Sequence, residues 1–194
     1  MSKTLPDRFD DKAMVKGTML RAHLSWAEKR FGAGLEPVRK ALPTPAPAFL
    51  SRMVLPTDWI PFSALIVLDR AIAEAAGGDP EETWLALGRH SAALNLTGVY
   101  KSFISGEPHR FFERMTVLHH QFQTFGRSVY EALGDSAGHV RIDSPTVYSS
   151  VYCVSGRGYY EEALRLLQAP GPIVVRHSSC VADGAPACIF ELAW

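Results

Sequence analysis

Apolar residues recur at helical spacing through the first two thirds of the chain. Their period predicts helices over residues 17–31, 36–41, 61–76, 80–103 and 109–133. Glycine and proline residues at 32–34, 77–78 and 106–108 separate these segments. A proline cluster at 43–47 interrupts the pattern, and a short helical turn is expected at 48–54. This part of the chain is therefore predicted to be a set of amphipathic helices.

The last third of the chain changes from helical to alternating periodicity. Strands are predicted at 139–143 and 146–154, a helix at 158–168, and a hairpin over 174–192 that turns at Asp183-Gly184. This order predicts an α+β fold, with an N-terminal helical half packed on a small antiparallel sheet of β-β-α-β-β order. Residues 1–14 are expected to be a polar N-terminal segment, and 15–194 a single domain.

Composition narrows the function classes. Of the 194 residues, 47% are hydrophobic, and 20 basic residues balance 20 acidic ones. This balance argues against direct binding to nucleic acid or to an anionic membrane. The first residues lack an apolar signal region, and no run reaches the roughly 20 apolar residues of a membrane span. We therefore expect a cytoplasmic protein with reduced thiols.

All three cysteines of the chain fall in this last third. Cys180 and Cys188 flank the turn of the predicted hairpin, Cys153 lies on another predicted strand, and His177 precedes Cys180 by three residues. Three thiolates and one imidazole form a ligand set typical of structural zinc. The alternative is that the cysteines are small buried apolar side chains.

The segment 149–192 resembles the C-terminal part of the 4-vinyl reductase-type ligand-binding domain, the sensory module of aromatic-responsive bacterial transcription activators. The resemblance is carried by Cys153, the Gly156-Arg157-Gly158-Tyr159 stretch, His177-Ser-Ser-Cys180 and Cys188. It implies that Cys153, His177, Cys180 and Cys188 are zinc ligands. His177 stands where that family carries glutamate.

The helical half is similar to the haem nitric oxide/oxygen-binding domain. The matching stretches are 15–18, 84–89 and 114–122, and they place His119 at the position of the haem-ligating histidine. That family holds the haem propionates with a Tyr-x-Ser-x-Arg motif, which here reads Cys153-Val-Ser155-Gly-Arg157 with cysteine in place of tyrosine. The alternative for His119 is a hydrogen-bonded histidine in the core or in a pocket.

Both families share one fold with a group of vesicle-tethering subunits, and the resemblance implies a cavity between the helices and the sheet. The leading hypothesis is a non-catalytic small-molecule-binding or signalling module with structural zinc and a pocket for a small apolar or aromatic ligand. Its expected ligand contacts are His119, Phe111, Met115, Phe122 and Tyr159. It would act as a homodimer or through a protein partner.

Two other functions stay open. One is a haem-dependent gas sensor with His119 as axial ligand, although zinc is placed ahead of haem as the expected cofactor. The other is a scaffold or interaction subunit without a ligand. The chain has no phosphate-binding loop, no nucleophile elbow and no paired carboxylates, which argues against an enzyme.

Overall fold

The N-terminal half of the protein is helical. The computed structural model describes residues 6–44, 53–98, 100–104 and 106–194, so most of the turn expected at 48–54 lies outside the described residues. The helices are α1 (Gly17–Phe31), α2 (Glu36–Ala41), α3 (Phe62–Ala76), α4 (Pro80–Thr97), α5 (Pro108–Val117), α6 (His119–Phe122) and α7 (Ser150–Leu166), with 3-10 turns at Lys101–Ile104 and Val181–Asp183. None of those described is long and apolar enough to cross a bilayer.

The strands form two antiparallel sheets. A short pair joins β1 (Met14–Lys16) to β2 (Trp59–Pro61). The larger sheet has the order β3-β4-β6-β5, built from β3 (Arg127–Ala132), β4 (Ala137–Asp143), β5 (Val174–Ser179) and β6 (Cys188–Ala193). The predicted α+β class and the terminal hairpin are confirmed.

Two elements differ from those predicted. Residues 127–132 form β3 rather than the end of a helix, because Gly126 adopts a left-handed conformation with φ 69° and ends the helical path. The predicted strand at 146–154 lies largely in α7, whose residues Val151, Ser155 and Gly158 are buried at helical spacing. Tertiary packing therefore overrides the β-branched and aromatic composition of that stretch.

Helix α7 links the helical half to the sheet. On one side it packs on α4 at two glycines: a Cβ on Gly88 would lie 1.8 Å from the carbonyl oxygen of Ser155, and one on Gly158 would lie 2.2 Å from that of Leu85. On its other side α7 contributes Ala163 and Leu164 to a core cluster that also contains Phe190 of β6. The absence of side chains at the two glycines lets the helix axes approach closely.

The described part of the N-terminal segment is docked on the fold. The backbone N–H of Arg8 donates to the carbonyl of Tyr148 at 2.9 Å, and the N–H of Phe62 donates to the carbonyl of Ala13 at 2.8 Å. Phe9 packs edge-on against Phe62 with 5.7 Å between ring centroids. This segment therefore covers one end of the core.

Candidate functional site

A cavity of about 150 Å³ lies between the helices and the larger sheet. Its wall takes residues from the helices α1, α3, α4, α5, α6 and α7 and from the strands β3, β4 and β6. Four of the five predicted ligand contacts line it, namely Met115, His119, Phe122 and Tyr159. None of its described lining residues is Lys or Arg, so its polarity comes from hydroxyl, amide and imidazole groups.

The fifth predicted contact, Phe111, lies in the core and not on the cavity wall. It is 2% exposed and packs edge-on against Phe112, with 5.1 Å between ring centroids. Phe112 lines the cavity in its place. The cause is helix geometry: Phe112, Met115 and Thr116 are spaced by three and four positions and share one face of α5, while Phe111 is turned by about 100°.

His119 begins the short helix α6 at the cavity wall. Its Nε2 lies 3.0 Å from the carbonyl oxygen of Phe125. Because a carbonyl only accepts, Nε2 is the donor, and Nδ1 keeps its lone pair in the neutral ring. Burial lowers the pKa of His119; the carbonyl of Phe125 opposes this shift and the nearby His120 adds to it. A neutral imidazole whose second nitrogen donates to a carbonyl is the usual arrangement of a metal-ligating histidine.

The three cysteines and His177 converge on one point. The Sγ–Sγ distances are 3.6 Å for Cys153–Cys188, 3.9 Å for Cys180–Cys188 and 4.0 Å for Cys153–Cys180. The four ligand atoms all lie within 4.8 Å of one another. A tetrahedral metal ion with metal–sulfur bonds of about 2.3 Å sets sulfur–sulfur distances of about 3.8 Å. The cysteines are therefore spaced as such an ion requires.

Each ligand of this Cys/His cluster comes from a defined position in the fold. Cys153 lies in the second turn of α7 rather than on a strand, His177 on β5, Cys180 just after β5, and Cys188 at the start of β6. A register shift between His177 and Ser179 marks the end of β5. The four side chains are thus brought together by a helix and a hairpin.

The chemistry of the cluster also suits a cation. Hydrogen bonds from Cys153 and Cys188 hold the pKa of Cys180 well below its usual range, whereas hydrogen bonds to Cys180 and Cys188, together with burial, raise the pKa of Cys153. Cys180 is therefore the thiol of the cluster that loses its proton more readily than Cys153. His177 stacks on Phe190, with 4.5 Å between centroids, and its Nε2 is buried without a hydrogen-bond partner in the described residues. A buried nitrogen without a hydrogen-bond partner is costly unless a ligand satisfies it.

The stretch Cys153–Arg157 is split between these two sites. Ser155 lines the cavity, whereas Arg157 does not, and the Nε of Arg157 is buried without a partner among the described residues. Cys153 borders the cavity and also belongs to the Cys/His cluster. Because these residues sit in a helix with cysteine at the first position, they do not place a tyrosine and an arginine together on the cavity wall.

A buried His23–Asp69 pair, which the sequence did not predict, also borders the cavity. Nδ1 of His23 lies 2.6 Å from Oδ1 of Asp69, and His23 lines the cavity. The available signal was a single carboxylate, Asp69, among the apolar positions of the predicted helix at 61–76. An acidic side chain on an apolar helix face calls for a buried partner.

Comparisons with known proteins identify the fold. No family model and no curated protein matches the chain. Among solved structures, a protein from a study of haem distortion in the H-NOX family matches with a TM-score of 0.69 and 16% identity, over 92% of this chain and 94% of that one. An oxygen-binding H-NOX domain related to soluble guanylate cyclases matches with a TM-score of 0.66 at 16% identity, over 92% and 94%. An unliganded Fe(II) H-NOX protein from K. algicida matches with a TM-score of 0.67 at 16% identity, over 92% and 95%.

These matches place the chain in the haem-NO-binding-like fold group. They also correct the expected order of cofactors. The sequence placed zinc first and haem second, because the cysteine pattern was the more specific signal. The neighbours that share the fold over nine tenths of the chain are named for haem and for oxygen binding. The placing of zinc ahead of haem was therefore wrong.

Proposed function

We propose that this protein is a haem-dependent sensor domain in which His119 is the axial ligand of the haem iron. The observation that carries the proposal is the state of His119: its imidazole lies on the cavity wall, burial lowers its pKa, and its Nε2 donates to the Phe125 carbonyl, so that in the neutral ring Nδ1 is the nitrogen with a lone pair. Histidine is the usual proximal ligand of gas-binding haems. The bound iron would supply a coordination position for a small gas molecule.

The cavity must open for haem to enter. Its closed volume of about 150 Å³ is below the roughly 300–1,000 Å³ of typical ligand pockets. Tyr100 and Phe122 pack edge-on at 5.2 Å between centroids and both line the cavity, so their rotation would enlarge it. Since the described lining has no cation, the propionates would be held by hydroxyl and amide groups or by water.

The test compares two adjacent histidines. His119→Ala is expected to lose the Soret band that titration with haem produces in the wild type, and added imidazole is expected to restore it. His120→Ala is the matched control, because His120 is exposed and is not among the lining residues. Equal Soret bands in the wild type and His119→Ala would contradict the proposal.

A second candidate is direct binding of a small apolar or aromatic molecule without haem. The closed volume favours it, because an apolar cavity of about 150 Å³ is known to hold benzene. In this function His119 and Tyr159, which both line the cavity, would orient the ligand. A thermal shift with one-ring aromatic compounds, together with no Soret band after haem titration, would favour this function over the first.

We also propose that the Cys/His cluster holds a thiophilic metal ion with a structural role. The sulfur–sulfur distances of 3.6–4.0 Å and the unpaired Nε2 of His177 support it. An ion there would tie α7 to the β5–β6 hairpin. Residues 15–194 would then work as one cytoplasmic domain that signals through a homodimer or a protein partner.

A further inference from the structure

The cavity has a second polar group that the proposed function does not use, His23 of α1. This side chain is 3% exposed and is hydrogen-bonded to Asp69 of α3, which is completely buried. The Nδ1–Oδ1 distance of 2.6 Å requires one proton between the two atoms. The other ring nitrogen, Nε2, makes no hydrogen bond within the described residues, and the ring lines the cavity.

The surroundings of Asp69 decide how many protons the pair carries. Its Oδ2 is buried and has no hydrogen-bond partner among the described residues. Burial raises the pKa of Asp69, and His23 is the group that opposes this shift by its charge and its hydrogen bond. A carboxylate beside a neutral His23 would leave a net negative charge in an apolar interior, which is strongly unfavourable.

Two arrangements give the His23–Asp69 pair a net charge of zero. In one, ionised Asp69 faces a protonated His23 ring, and both ring nitrogens carry hydrogen. In the other, protonated Asp69 donates to Nδ1, so the single ring hydrogen is on Nε2. Nε2 therefore carries a hydrogen in either arrangement, and the pair presents a hydrogen-bond donor at the cavity.

We propose that Nε2 of His23 donates a hydrogen bond to an acceptor oxygen of the molecule in the cavity, and that Asp69 fixes the orientation of this donor. The ligand class is an uncharged, largely apolar molecule that carries a carbonyl group. Because the described lining has no Lys or Arg, it offers no side-chain cation to pair with a carboxylate of a small ligand buried in the closed cavity. The inference rests on the second candidate function, the direct binding of a small molecule in this cavity, and not on haem.

Nearby polar groups of the wall support an oxygen-bearing ligand. Ser149 lines the cavity and is 1% exposed, and its Oγ has no hydrogen-bond partner among the described residues. Asn95 and Ser91 of α4, which packs on α1, also line it, with Asn95 Nδ2 donating to Ser91 Oγ at 3.2 Å. Buried polar atoms without a partner are satisfied when a ligand or water occupies the site.

The first experiment measures the proton on Nε2 directly. In ligand-free protein labelled with 15N, the His23 side chain is expected to show a protonated Nε2 at pH 7. His90 serves as the comparison, because it lies on α4 outside the cavity lining and its Nε2 is 3.4 Å from Ser25 Oγ. A His23 ring with no proton on Nε2 overturns the inference.

The second experiment compares two probes of the same shape, acetophenone and α-methylstyrene, in which a CH2 group replaces the carbonyl oxygen. One hydrogen bond predicts that the preference for acetophenone falls about tenfold when the donor is removed. The variant is His23→Phe combined with Asp69→Leu, which leaves no buried charge unpaired, and His90→Phe is the control. The inference is overturned if the double variant keeps the wild-type preference, or if neither probe binds. Since haem is absent, its failure is distinct from failure of the His119 test.

Discussion

The side chains on which the proposed function depends most are polar groups in apolar surroundings. His119 is neutral because burial lowers its pKa, and its Nε2 is fixed by the Phe125 carbonyl. The Cys/His cluster is a second such group, in which the pKa of Cys180 is lowered and Nε2 of His177 is buried without a hydrogen-bond partner in the described residues. The unpaired nitrogen of His177 costs stability unless a metal ion compensates it. These residues are therefore the ones on which the proposed function depends.

The lowered pKa of His119 predicts a pH effect on stability. Its folded pKa lies below its unfolded value of about 6.5, so the unfolded chain binds the proton first as pH falls. The free energy of unfolding should therefore decrease from pH 7.5 to pH 5.5, and His119→Gln should weaken this decrease. Urea unfolding at the two pH values measures it, with His120→Gln as control. Equal pH dependence in the wild type and His119→Gln would contradict this assignment.

The Cys/His cluster predicts a linked loss of metal and stability. Cys188→Ser removes the ligand at the start of β6, so the bound metal should fall from near one ion per chain to near none. The free energy of unfolding should fall with it, because metal binding to a structural site is also folding free energy. Elemental analysis and thermal unfolding measure both quantities. A chelator should destabilise the wild type but not the variant; an equal effect on both would show that the cluster is not the site.

At the level of elements, the contact between α4 and α7 sets the relation of the helical half to the sheet. Gly88→Ala would bring a Cβ to 1.8 Å from the Ser155 oxygen, a backbone atom that cannot turn aside. We expect it to lower the free energy of unfolding by about 3 kcal/mol, since overpacking outweighs the roughly 1 kcal/mol gained in helix propensity.

Gly156→Ala is the control for that substitution. Gly156 lies in α7, the helix that Gly88 of α4 contacts, and the nearest neighbour of an added Cβ would be the tip of the Phe190 ring at 3.7 Å, an ordinary contact. Its stability should be unchanged or rise by up to about 1 kcal/mol. Chemical denaturation of the two variants compares them. Similar stability of Gly88→Ala and Gly156→Ala would refute the close helix contact.

The elements also show what the sequence can predict. The apolar period of residues 17–31 and the Asp183-Gly184 turn are local signals, and α1 and the terminal hairpin follow from them. The stretch 146–154 has β-branched and aromatic residues, yet residues 150–154 are helical because they begin α7, which packs against α4. Such an outcome depends on distant residues and is not visible in a short window.

For the two candidate sites, the sequence predicted which residue types take part better than it predicted the elements and faces on which they lie. The four members of the Cys/His cluster come together, although Cys153 reaches them from a helix. Met115, His119 and Phe122 line the cavity as expected. Phe111 does not, because one residue along a helix turns the side chain by about 100°. The pairing of His23 with Asp69 joins residues 46 positions apart and required the three-dimensional fold.

At the scale of the whole molecule, the cavity and the Cys/His cluster share a wall. Cys153 and Cys188 line the cavity and also belong to the cluster. The cluster ties α7 to the terminal hairpin, and α7 in turn packs on α4. In the proposed function, side chains of the helical half bind the ligand, and the Cys/His cluster holds the β5–β6 hairpin against α7, so that the cavity is closed on the side of the sheet.

The central claim is that the cavity takes haem, and the absorption spectrum of the purified wild-type chain during titration with haem tests it most directly. We predict a Soret band that grows in proportion to added haem and saturates at one equivalent per chain, with the spectrum of a histidine ligand. A spectrum that remains that of free haem throughout the titration would contradict the claim.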